Sequence, residues 1–158
     1  MKKLKSAIVV AYALASVALL PQGASAQNNP RLGVWILDVA KSTYQQGEAP
    51  AKETRTYLAT DDGGVQMTSD AVLASGTKRP SGYRAKYDGK DAPYSGTAGD
   101  SIAITGDGWK SVSTIKSVGK ITQTTDSTIS KDGMTMTMVT KTASGRAVST
   151  RVYRKQKP

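Results

Sequence analysis

The chain has 158 residues, with 22 basic and 12 acidic side chains, a formal net charge of +10, and neither cysteine nor histidine. Those two absences exclude disulfide staples, cysteine nucleophiles, haem ligation by histidine, most zinc and copper sites and every histidine-dependent acid–base mechanism. The charge is lopsided: residues 27–108 carry 9 basic and 10 acidic groups, residues 109–158 carry 10 and 2, a field that attracts anions or an acidic surface.

The first element is a secretory leader. Lys2, Lys3 and Lys5 form a positive start, and residues 6–20 are uncharged and nearly all apolar. Pro21 and Gly23 break any helix, and Ala24-Ser25-Ala26 is a small-residue cleavage site. The apolar run falls short of the roughly 20 residues that span a bilayer. Residues 1–26 are therefore expected to be removed, leaving 27–158 as a single periplasmic or secreted domain with no transmembrane span.

Beyond the leader there is no long 3.6-residue apolar pattern. Short alternating runs rich in Thr, Ser and Val lie between turn signals, which is the signature of strands. Arg31–Asp38 reads as the first. Residues 41–51, with Gly47 and Pro50, read as a loop with one helical turn at 41–44. Residues 52–60 and 65–73 flank the hairpin Asp61-Asp62-Gly63-Gly64. A break at 75–80 precedes a strand at 82–87, which runs to an Asp88-Gly89 turn. Strands follow at 101–105, 109–117, 120–130, 134–142 and 146–155, separated by glycine-containing turns.

About nine strands joined mainly by tight hairpins make an antiparallel up-and-down meander of 8–10 strands. Closing it into a barrel removes exposed edges, and the short connections favour a barrel over a Greek-key sandwich. Met134, Met136 and Met138 share one face of their strand. Such a row is ordinary core or adaptable lining for an apolar ligand.

Gly33-Val34-Trp35 resembles the G-x-W that opens the barrels of the calycin superfamily, the lipocalins and fatty-acid-binding proteins among them. The wider set Gly33, Trp35, Leu37, Asp38, Lys41 and Ser42, with the later Ser130, Lys131, Asp132, Gly133, Thr135 and Thr137, is similar to small exported bacterial lipocalin-like proteins with no assigned activity. Thr150-Arg151-Val152-Tyr153 is similar to the T-R-x-Y that ends fatty-acid-binding proteins, where the Arg and Tyr hold a carboxylate inside the barrel. The helical lid of that family does not fit between the first two strands here, so a general lipocalin-like barrel is the expectation.

The resemblance implies a structural set and a ligand set. Gly33 and Trp35 close one barrel end, with an arginine of the last strand, Arg154 or Arg151, stacked on the tryptophan. Arg151 and Tyr153 share a strand face and are the candidate anion site; the competing reading of Arg151 is structural. Trp109 reads as core at a strand start or as a stacking platform. Asp61, Asp62, Asp88 and Asp91 lack calcium-loop spacing and read as turn residues. No catalytic group, metal or cofactor is expected. The functional expectation is an exported barrel binding a small anionic amphiphile. The alternative is a non-catalytic envelope protein docking its basic C-terminal half onto an acidic partner, with no specific nucleic-acid binding.

Overall fold

The computed structural model describes residues 29–157; the expected leader, its cleavage site and Gln27 lie outside them. Eleven strands make one antiparallel sheet: β1 (Gly33–Leu37), β2 (Thr43–Tyr44), β3 (Pro50–Ala59), β4 (Val65–Leu73), β5 (Lys78–Ala85), β6 (Asp88–Ser95), β7 (Ser101–Gly106), β8 (Lys110–Ser117), β9 (Lys120–Ile129), β10 (Thr135–Thr142) and β11 (Ala147–Lys155). From β3 onward each strand pairs with the next, and β1 pairs with both β3 and β11. That double pairing closes a ring of ten strands. β2 pairs with β11 through Tyr44 opposite Ser149 and Thr43 opposite Thr150.

Two strands were not legible in the sequence. β6 contains Asp88, Gly89, Asp91 and Pro93, all poor strand formers. It holds because its neighbours β5 and β7 supply partners, so the turn falls at residues 86–87 and not at Asp88-Gly89. The break expected at 75–80 is a hairpin ending at Thr77, where Leu73 N–H donates to Thr77 O. The helical turn lies at Val39–Lys41, starting two residues earlier than expected, and Thr43-Tyr44 are extended.

Inward positions divide the interior into two regions. Trp35, Leu37, Tyr57, Met67, Ile129, Met136, Met138 and Tyr153 pack together at one end. Ala85, Ile102, Ile104 and Ile115 form a second cluster, with Tyr83, Tyr87 and Tyr94 against it.

The first end is sealed around Trp35, which is fully buried. Its indole N–H donates to Arg31 O at 2.7 Å, and the Lys155 ammonium lies 5.2 Å from its ring centroid. The cation over the tryptophan is thus Lys155, and neither Arg154 nor Arg151. Arg154 points outward and donates to Asp38 at 2.7 Å. The reason is the strand period: Arg154 and Lys155 are adjacent, so their side chains take opposite faces. Gly33 has φ +114, and a Cβ there would meet the Lys155 side chain at 3.1 Å. Trp109 is not core: it is 43% exposed in the β7–β8 connection.

Candidate ligand-binding site

A cavity of about 300 Å³ opens at the end of the barrel opposite Trp35. Its floor is made by the alternating inward residues of β3 and β11, which flank β1 and carry Glu53, Arg55 and Arg151. Glu53 is 2% exposed. Its carboxylate accepts from Arg55 Nε at 2.6 Å, Ser69 Oγ at 2.7 Å and Tyr153 OH at 2.8 Å. The Arg151 guanidinium lies 3.6 Å from the same carboxylate and donates to Thr140 Oγ1 at 3.3 Å.

Burial pushes the Glu53 carboxyl up, but the Arg55 and Arg151 guanidiniums and the hydrogen bonds from Ser69 and Arg55 outweigh it. They hold its pKa at about 2. The carboxylate is therefore ionised at neutral pH. Burial and the adjacent Glu53 carboxylate raise the Tyr153 phenol, although both guanidiniums oppose them, so it stays a neutral donor.

One carboxylate thus faces two guanidiniums at the cavity floor. A third, Arg31, is buried below them and donates to Ser127 Oγ at 2.8 Å and Ser111 Oγ at 3.1 Å. An unbalanced cationic interior is costly unless an anion or polar partners offset it. Nearer the opening, Glu48 and Arg79 balance each other in formal charge.

The residues singled out by sequence separate here. Arg151 lines the cavity. Tyr153 is fully buried beneath it and commits its hydroxyl to Glu53. The two residues expected to hold a ligand carboxylate thus flank a carboxylate of the chain itself, that of Glu53. Met138 lines the cavity while Met136 is fully buried core. Sequence reasoning missed Glu53, Arg55, Ser69 and Tyr44. Residues 52–60 read only as a strand in which charged positions alternate with apolar or Thr ones, with no site residue among them. The one available signal was that Glu53, Arg55 and Tyr57 share a face (period 2), with no apolar residue among them other than the tyrosine.

Among the described residues no group of three or more His, Cys, Asp or Glu is placed to hold a metal ion, and no helix is long and apolar enough to cross a membrane.

No protein-family model matches the sequence, and no curated protein matches it. Solved structures do. A single-site mutant of the fluorescent protein UnaG aligns with a TM-score of 0.55 at 14% identity, over 82% of this chain and 98% of that one. Wild-type UnaG aligns with a TM-score of 0.51 at 12% identity, over 79% and 96%. The amine-binding protein of Rhodnius prolixus, solved with tryptamine, gives 0.49 at 11%, over 83% and 66%. The two UnaG structures share the fold of this chain, a closed lipocalin-like antiparallel up-and-down barrel.

Proposed function

We propose that this barrel is a non-catalytic binding protein that holds a small anionic amphiphile in its 300 Å³ cavity, with Arg151 as the cation that meets the ligand. The observation that carries this reading is the charge of the cavity floor, where Arg55 and Arg151 face the single carboxylate of Glu53. Arg55 is bound tightly to Glu53, which leaves Arg151 as the guanidinium with unspent charge. A cavity of this volume sits at the lower end of the range for small-molecule sites. Tyr153 acts through Glu53 and holds the floor in place.

Docking through the basic C-terminal half has less support. Of its ten basic residues, Lys116 pairs with Asp91, Lys141 with Asp126 and Arg154 with Asp38. Arg151 faces the interior and Lys155 lies on Trp35. Half of the charge that marked this region in the sequence is engaged within the barrel.

The test is titration with 8-anilinonaphthalene-1-sulfonate, an anionic probe whose fluorescence rises in a low-polarity site. The wild type is expected to bind it, and Arg151→Ala to bind at least about tenfold more weakly, since hydrogen bonds to charged groups contribute about 1.5–3 kcal/mol. Circular dichroism of the variant should be unchanged. Equal binding by a folded Arg151→Ala protein would remove Arg151 from the site.

A further inference from the structure

Two side chains that line the cavity each hold a buried polar atom without a hydrogen-bond partner, Arg151 Nε and Tyr44 OH. They come from neighbouring strands: Tyr44 on β2 sits opposite Ser149 on β11, two residues before Arg151 on the same inward face. Buried donors are ordinarily paired, and each one left unpaired carries the desolvation penalty of that group. Here both donors belong to residues on paired strands that line one cavity, whose floor carries more positive than negative charge. The Tyr44 phenol is raised, by burial first and with Glu53 adding to it, against Arg151, Arg55 and the nearby Ser42 hydroxyl, which forms no well-aligned hydrogen bond with it. It is therefore a neutral O–H donor at physiological pH.

The opposite wall has another character. In a ring of ten strands β6 stands five strands from β11 in either direction. On that side Tyr83 and Tyr94 are cross-strand partners on β5 and β6, and with Ile102 and Ile115 they line the same cavity. One wall thus offers donors and the facing wall offers two phenol rings and aliphatic groups. The distance between them is bridged by a cavity of only about 300 Å³, small for a long acyl chain. Aromatic rings favour stacked or edge-on contact with another ring.

Resting on the anion-binding reading above, we infer that Tyr44 and Arg151 form a two-donor site for the carboxylate of a compact aromatic acid, whose ring packs against Tyr83 and Tyr94. The carboxylate receives one hydrogen bond from each donor, which satisfies both buried groups at once. This assigns the partner of Arg151 to β2 and not to its neighbour along β11, because Tyr153 is already spent on Glu53.

Isothermal titration with 1-naphthoate and with dodecanoate, two carboxylates of similar size, tests both halves. The wild type is expected to bind 1-naphthoate at least about tenfold more tightly than dodecanoate. Tyr44→Phe, which removes only the hydroxyl, is expected to weaken 1-naphthoate about tenfold and its methyl ester much less. Intermolecular NOEs between 1-naphthoate and the Tyr44 and Tyr94 rings in the wild type give a readout independent of the variant's folding. If 1-naphthoate binds and depends on Arg151 but not on Tyr44, the donor pair is wrong while the anion-binding reading stands. If dodecanoate binds more tightly in an Arg151-dependent way, the aromatic class is wrong and that reading again stands. Binding of neither acid overturns both.

Discussion

Glu53 shows most clearly what a single residue does in this molecule. A carboxylate that is 2% exposed survives because it receives hydrogen bonds from Arg55, Ser69 and Tyr153 and lies beside Arg151. Its folded pKa of about 2 lies below the ordinary value of 4.5. A depressed carboxylate stabilises the fold above its unfolded pKa, and that stabilisation fades as pH falls through the folded one. Urea unfolding should therefore lose about 3 kcal/mol between pH 5 and pH 2 from this group, the size of a shift of that extent. In Glu53→Gln that component of the acid slope should vanish. The variant should also be less stable at pH 7 by about 3–5 kcal/mol, because Arg55 is left buried without its counter-charge. A Glu53→Gln protein with the wild-type acid slope would show that other carboxylates set it.

Individual elements carry two further expectations. β1 is short, and it closes the ring by pairing with β3 on one side and β11 on the other. Trp35 is its fully buried anchor, so Trp35→Ala should cost about 3–5 kcal/mol in denaturant unfolding, as other large-to-small aromatic changes do. A loss below about 1 kcal/mol would be that of a surface position. The β8–β9 hairpin carries the opposite case. Val118 has φ +49, a left-handed conformation that a β-branched side chain adopts at a cost, and it is 88% exposed. With Gly119 at φ +74 it makes a turn in which Asn-Gly is preferred. Val118→Asn should raise stability by about 0.5–1 kcal/mol, read as an increase in melting temperature. An unchanged or lower value would mean that the valine side chain has a contact worth more than its strain.

For the whole molecule, export is a proposal resting on residues 1–26. N-terminal sequencing of the mature protein should begin at Gln27, and an intact Met1 terminus on membrane-bound protein would reject it. The all-β meander was legible because period-2 alternation and glycine turns are local: Val65 to Leu73 and Thr135 to Thr142 each show their inner face within one strand. The expectation of Trp35 at a barrel end came from the resemblance that Gly33-Val34-Trp35 carries, not from alternation. Strands β2 and β6 were not legible, since their residues are extended only because neighbouring strands pair with them. The candidate site was legible in half. A shared face together with the T-R-x-Y resemblance singled out Arg151 and Tyr153, but their fates diverged over contacts separated by 100 residues, where Tyr153 meets Glu53. Alternation determines which residues point inward. Only the closed ring, with β1 between β3 and β11, decides which inward residues meet, because the stagger of the strands around a barrel is set by all of its pairings together.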